Sequence, residues 1–282
     1  MQVIMFGAGT TGHILYSEIA SKDEVIAFAD NNHERWGELL FDIPICNPEE
    51  CLVNMTYDAV IISAFGGFDE IHQQCLKLGI PEEKIITSHI GVSLAARKVF
   101  LGNLSFLLNE YEQEADVAEA GVYCGDYAKW INAFFPKRIL HLFDTFEGFD
   151  ERDVAVETKN TFSDEKAGHL NESSVEIVMK KMQHPEQCRI HKGYFPDTAI
   201  GIESKFCFVN LDMDLYLPTY NGLCFFRDKM TEQGVILVHD YYSAGYKGVK
   251  AAVEEFLKEY GEGVNKYPIG DGVSIMLAGK WN

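Results

Sequence analysis

The sequence predicts an α/β protein built of two Rossmann-like halves, and three observations carry that reading. Apolar runs of strand length alternate with helix-periodic segments along most of the chain. In each half a glycine-rich turn follows the first strand-like run. In each half, too, an acidic residue closes the second run, 18 residues past the last turn glycine in one case and 19 in the other. Glycines let a backbone approach a ligand closely, and a carboxylate at that point accepts hydrogen bonds from ribose hydroxyls. The pattern marks a nucleotide-type site in each half without naming the nucleotide.

Taken in order, residues 3–6 form a buried strand ending in the turn Gly7-Ala8-Gly9-Thr10-Thr11-Gly12. Helical periodicity follows over 13–20, then a strand over 25–29 closed by Asp30. A buried strand over 57–63, a helix over 68–78 and a short strand over 84–87 complete the first unit. Phe100, Leu104, Leu107, Leu108 and Tyr111 then recur at helical spacing, so residues 93–113 are expected to be a helical linker. It separates a small Rossmann-like domain of nucleotide-binding type, residues 1–92, from a larger domain over 114–282. In the latter, strands are expected at 117–120, 138–143, 189–191, 205–211, 234–238 and 272–278. Helices are expected from Gly125 to about 135 and over 173–182, 219–230 and 247–259.

Bulk properties narrow the function classes. The 282 residues are 47% hydrophobic and 24% charged, a globular balance able to bury one large core or two ordinary ones. No apolar run reaches the roughly 18 residues of a membrane helix, and the first residues have no basic segment of signal-peptide type. A cytoplasmic protein without a membrane partner is therefore expected. Seven cysteines without a CxxC pair read as thiols in a reducing compartment. A net charge of -19, with no basic stripe to offset it, argues against a nucleic-acid partner.

Gly7, Gly9, Gly12 and Asp30 match a dinucleotide fingerprint in form. NAD, a nucleotide sugar, or a structural or self-associating role without ligand all stay open, as does a homo-oligomeric state. The order of Asn31-Asn32, Ile43-Pro44-Ile45 and Pro48-Glu49-Glu50 makes residues 1–90 resemble small Rossmann domains attached to bacterial sugar-modifying and polysaccharide-biosynthesis enzymes.

The second half carries more ordered blocks. Glu119-x-Gly121-x-x-x-Gly125 closes its first strand, and Asp144-Thr145-Phe146-Glu147-Gly148-Phe149 its second. Gly193-Tyr194-Phe195-Pro196-Asp197-Thr198 follows the third, Asp212-Met213-Asp214-Leu215-Tyr216 the fourth, and His239-Asp240-Tyr241-Tyr242 the fifth. In this order they resemble the macrocin O-methyltransferase (TylF-type) family. The resemblance runs from about residue 116 to the C-terminus. It implies a class I methyltransferase Rossmann-like sheet preceded by the smaller Rossmann-like domain, with S-adenosyl-L-methionine as methyl donor and a divalent metal, Mg²⁺ or Mn²⁺. The implied reaction is O-methylation of a saccharide or nucleotide-sugar hydroxyl.

Carried over by residue, the resemblance has Glu119, Gly121 and Gly125 cradle the cofactor and Asp144 hold its ribose, with Phe146 and Glu147 beside it. Asp212 and Asp240 would hold the metal at the C-terminal ends of adjacent strands. Where the family has Asp-Asp-Tyr, this chain has His239-Asp240-Tyr241. An imidazole suits Mn²⁺, Fe²⁺ or Zn²⁺ better than Mg²⁺. His239 is thus open as metal ligand, general base or packed strand-end residue. The family's base is expected in the polar insert over 150–171, where His169 is the sole histidine. Asp212-x-Asp214 also occurs in metal-dependent glycosyltransferases, the rival enzyme reading; a non-catalytic nucleotide-binding sensor is the other. Tyr241, Tyr242 and Tyr246 suit either stacking on a sugar face or ordinary rim packing. The first domain is expected to help hold the nucleotide or glycan part of the acceptor.

Overall fold

The computed structural model describes residues 1–64, 68–111, 114–243 and 245–281. The chain divides into two compact units, Met1–Ala96 and Arg97–Asn282. The division falls inside the segment expected to be a linker, whose last two positions, 112 and 113, lie outside the described residues.

In chain order the first unit holds β1 (Gln2–Phe6), α1 (Thr10–Ala20), β2 (Glu24–Ala29), β3 (Leu39–Leu40), β4 (Ile43–Cys46), α2 (Pro48–Asn54), β5 (Ala59–Ile62), α3 (Phe68–Lys77) and β6 (Ile85–Ile86). α4 (Ser88–Tyr111) leads on into the second unit. The strands order as β3-β4-β2-β1-β5-β6, parallel except for the β3–β4 hairpin. β1 is central, and Val3, Ile4, Met5 and Phe6 are all buried. A strand covered on both faces reads as an unbroken apolar run, which is why it was legible. The sequence reading passed over β3, β4 and α2. For α2 the signal was present: Asn47 caps Glu49 N–H and Pro48 occupies the first turn.

The second unit holds β7 (Asp116–Ala120), α5 (Ala128–Phe134), β8 (Leu140–Asp144), α6 (Glu151–Asn160), α7 (Val175–Met179), β9 (Cys188–Lys192), β10 (Phe206–Leu211), α8 (Tyr216–Arg227), β11 (Met230–Val238), α9 (Lys247–Tyr260), β12 (Val264–Pro268) and β13 (Ile275–Gly279). Its sheet runs β12-β13-β11-β10-β7-β8-β9. β13 pairs antiparallel with both β11 and β12; the other pairs are parallel. Two apolar clusters form the core, one containing Phe206, Phe226 and Phe256 and the other Phe135, Leu142 and Phe208. Strand order reverses between β7 and β10, and open α/β sheets bind ligands outside the carboxyl ends of the strands at such a point.

Several elements differ from expectation. α7 is half the predicted length, with Ser174 accepting from Ile177 N–H as its cap. α8 starts three residues before the predicted helix, because Pro218 is tolerated in a first turn whose N–H groups lack partners anyway. α6 fills part of the polar insert over 150–171, for which no helix was expected. Among the described residues no helix is long and apolar enough to cross a membrane. All seven cysteines are free thiols, with Cys51, Cys75, Cys188 and Cys207 buried.

Candidate active site

Both units repeat one local device at the end of their central strands. In the second, Gly121 N–H donates to Phe143 O at 2.9 Å, and the loop then turns back over β8. Asp144 Oδ2 accepts from Val122 N–H at 2.7 Å and Tyr123 N–H at 2.8 Å, while Oδ1 accepts from Phe146 N–H at 2.6 Å. In the first, Asp30 Oδ2 accepts from Ala8 N–H and Oδ1 from Asn32 N–H, both at 2.8 Å. Each acid thus fixes its glycine turn before any ligand arrives. A carboxylate has about four acceptor positions, so Asp144 keeps one and Asp30 two for a ligand.

In these turns the closest approaches are at Gly121 and Gly12. Gly121 has φ +83°, and a Cβ there would lie 1.8 Å from Asp212 O. At Gly12 a Cβ would lie 2.0 Å from Gly7 O, so this glycine seats α1 on the turn. Nothing within 4 Å demands a glycine at position 9.

The Gly121 turn forms one wall of a cleft enclosing about 650 Å³ of empty space, its open mouth included. Asp144, Asp153, Tyr194, Asp212 and Asp214 also line it. Of the residues singled out from the sequence, Gly121, Asp144, Asp212 and Asp214 come together there. Glu119 lies fully buried two residues before Gly121, and Gly125 packs against Val178. Phe146 is in the core, and Glu147 is an exposed residue paired with Lys192 at 3.3 Å. His169 is exposed, with Nδ1 2.5 Å from Glu165 and its ring edge-on to Phe149, and does not line the cleft. Tyr241 is buried and donates to Glu254, while Tyr246 donates to Glu165 at 3.1 Å.

At the ends of β10 and β11 four ionisable groups converge. His239 Nδ1 lies 2.9 Å from Asp212 Oδ1 and 2.5 Å from Asp240 Oδ2. One donor atom each from Asp212, His239 and Asp240 falls within 4.8 Å of the others. Asp214 completes the group. Burial and the charges of Asp240 and Asp212 push its carboxyl well above the usual range. Burial and Arg97 disfavour a charged His239, yet Asp212 and Asp240 outweigh them and raise it to about 10. Burial works against ionisation of Asp212 too, but His239 and Arg97 hold it far below its ordinary value. Asp214 (φ 61°) and Asp240 (φ 56°) both take left-handed backbone, a strained state for such residues that clusters at functional sites. Carboxylate oxygens and one imidazole nitrogen around a common point form a donor set that fits a divalent cation of borderline softness such as Mn²⁺.

Three groups escaped the sequence reading. Arg97 on α4 is buried, and its Nη2 donates to Asn210 Oδ1 and Asp212 Oδ2, each at 3.0 Å. Its signal was register: Arg97 shares a helix face with Leu101, Leu104 and Leu108. On α6, Glu157 is wholly buried and accepts from Tyr216 N–H at 2.7 Å and Ser163 O–H at 2.8 Å, tying the insert to α8. One turn earlier Asp153 accepts from Tyr194 O–H at 2.9 Å. Burial pushes the Asp153 carboxyl up to about 6, against the opposing hydrogen bond from Tyr194.

The profile of the macrocin-O-methyltransferase (TylF) family matches residues 101–266. That of the C2185-like N-terminal domain matches residues 1–86. A search of the curated proteins finds no match. Among solved structures, the O-methyltransferase NovP is 18% identical, with a TM-score of 0.55 over 66% of this chain and 80% of its own. The calicheamicin methyltransferase CalS11 is also 18% identical, with a TM-score of 0.54 over 76% of this chain and 93% of its own. At that identity the likeness is one of fold, a class I Rossmann-like sheet.

Proposed function

The chain belongs to the macrocin-O-methyltransferase (TylF) family of S-adenosylmethionine-dependent enzymes, and we propose that it methylates a hydroxyl of a sugar or nucleotide sugar with the help of a divalent cation. The observation that carries the cation is the convergence of Asp212, His239 and Asp240 beside the glycine turn. The sugar class rests on the family's own acceptors.

In this reading Asp144 holds the cofactor ribose with its remaining acceptor position, and Gly121 leaves room for the donor above β7. Asp212, His239 and Asp240 would hold the cation, whose Lewis acidity lowers the pKa of an acceptor hydroxyl nearby. The acceptor oxygen forms a bond to the methyl carbon as the carbon–sulfur bond breaks, leaving a methyl ether, S-adenosylhomocysteine and one proton. We assign that proton to Asp153. It lines the cleft, and a carboxyl raised to about 6 is still ionised at neutral pH yet basic enough to accept. His169 stands outside the cleft lining and takes no part in this scheme.

The sign for Asp153 follows from its ionised form being the active one: kcat/KM is full above about pH 6 and falls as pH drops through that value. Asp153→Asn should lower kcat on the order of 10²-fold and erase the acidic limb, with S-adenosylhomocysteine affinity kept. A normal rate with an unchanged limb would clear Asp153 of the role. The acceptor class is tested with methyl-labelled S-adenosylmethionine and a panel of nucleoside-diphosphate sugars and free glycosides, with Mg²⁺ or Mn²⁺. Label should appear as an alkali-stable methyl ether on the sugar; a panel that stays unlabelled, while a phenolic acceptor is methylated, would refute a saccharide substrate.

A further inference from the structure

Glu157 has no place in the scheme above, yet the fold makes room for it. It is wholly buried on α6, where its carboxylate accepts from Tyr216 N–H at the start of α8 and from the Ser163 hydroxyl. On α9, a Cβ at Gly248 would stand 2.5 Å from Glu157 Oε1 and 2.9 Å from Tyr216 Cβ, so a glycine is what admits the carboxylate to the junction. Three elements thus meet on one buried charge. An apolar side chain of like size would hold them without the cost of taking a charge out of water. The charge itself points to a task beyond packing.

The helix register shows where that charge acts. Asp153 and Glu157 are four residues apart, so they share one face of α6 with their Cβ atoms about 5–6 Å from each other. A like charge at this range disfavours loss of a proton, while a donor to the carboxylate favours it. Asp153 is faced by the Tyr194 hydroxyl after β9, by Asp150 and Arg152 at the start of α6, and by Glu157 one turn on. Asp144, Asp212 and Asp214 line the same cleft from the strand ends. Arg152, the cation of this set, is engaged locally: it is bidentate to Asp150 at 2.8 and 2.9 Å and lies 3.8 Å from Asp197. Glu157 differs from the others in being seated by α8 and α9 outside the cleft lining, so it reaches Asp153 without meeting the acceptor.

We propose that Glu157 is a positioning residue for proton removal: its hydrogen bonds fix α6 on the start of α8 so that Asp153 faces the acceptor, and its charge keeps Asp153 basic enough to take the proton. The inference rests on the assignment of that proton to Asp153 and adds the residue that tunes it.

Two variants of the full chain separate the two tasks. Glu157→Gln keeps the reach to Tyr216 N–H and removes the charge. With the like charge gone, ionised Asp153 is favoured, so the acidic limb of kcat/KM should move to lower pH by about half a unit or more. The weaker base should lower kcat about two- to fivefold. Glu157→Asp keeps the charge and falls one methylene short of Tyr216 N–H. Its limb should stay within about 0.2 units of wild type, while kcat falls about tenfold. Both variants should bind S-adenosylhomocysteine as wild type does, since the glycine turn and Asp144 lie on other elements. A merely structural lesion would lower kcat in both and leave both limbs in place, and an unmoved limb in Glu157→Gln therefore overturns the proposal. Should Glu157→Gln not fold, Glu157→Asp decides, because a normal kcat there overturns it too. Carboxyl-carbon NMR of aspartate-labelled chain, with the Asp153 signal assigned by its loss in Asp153→Asn, follows the same ionisation without turnover. An Asp153 titration that Glu157→Gln leaves unchanged overturns the role of Glu157 alone. One that moves down while the kinetic limb stays overturns Asp153 as the base, and this proposal with it.

Discussion

Asp240→Asn is expected to lower turnover on the order of 10³-fold while S-adenosylhomocysteine affinity stays within a few-fold. Asp240 lies two residues past the end of β11, and its side chain is 13% exposed. Its carboxylate faces His239 at 2.5 Å and hydrogen-bonds Asp214. The amide keeps the size of the side chain and removes one negative charge from a donor set that needs it. The glycine turn and Asp144 lie on other strands and are untouched. The same assay carries a second arm. A chelator should abolish wild-type turnover and added Mn²⁺ restore it, whereas the variant should need far more Mn²⁺. Near-normal turnover in Asp240→Asn, or wild-type activity indifferent to the chelator, would remove the cation from the mechanism.

Gly121→Ala should damage fold and site together. A Cβ at this position would stand 1.8 Å from Asp212 O and 2.5 Å from Asp212 C. These are backbone atoms, so no rotamer change relieves the clash; β10's end must move. The φ of +83° adds left-handed strain of about 1 kcal/mol or more for a residue with a Cβ. We expect a loss above about 3 kcal/mol, which for a unit of this size lowers Tm by roughly 10 °C. Nucleoside binding should vanish for S-adenosylhomocysteine and 5′-methylthioadenosine alike, because the displaced carbonyl belongs to Asp212. Thermal melting and calorimetry read the two effects. A variant with wild-type Tm and affinity would mean that the β7 and β10 ends do not approach as described.

Legibility followed how each residue meets its surroundings. β1, β5, β7 and β10 were readable because both faces are covered, which fills them with apolar residues except at a few positions such as Glu119 and Asn210. Asp144 and Asp212 were readable because short motifs hold them at strand tips. α6 hid for the opposite reason: its inward face is made of Asp153 and Glu157, which are buried through hydrogen bonds instead of apolar contact, so no hydrophobic stripe marks it. Its start was still signalled, since Asp150 caps Arg152 N–H and acids fill the first turn. β12 went unread because its residues are exposed or half-exposed at a sheet edge. Arg97 hid inside an apolar run, where a single charge is easily taken for a solvent-facing position. His239 is a departure from the family pattern visible in sequence, but its placement between two carboxylates is a tertiary fact.

The position of Arg97 has a consequence for inheritance. It lies on α4, one residue into the second unit and four residues before the family's matched segment begins. A second domain cut out at residue 101 or 114 would carry every recognisable motif and lose the guanidinium that pairs with Asp212. The buried carboxylate and Asn210 would then face each other unneutralised. In a shuffled or engineered fusion, α4 must travel with the catalytic sheet. What looks like a connecting segment is a part of the cargo, and a swap made at the motif boundary should yield a correctly patterned chain with a defective site.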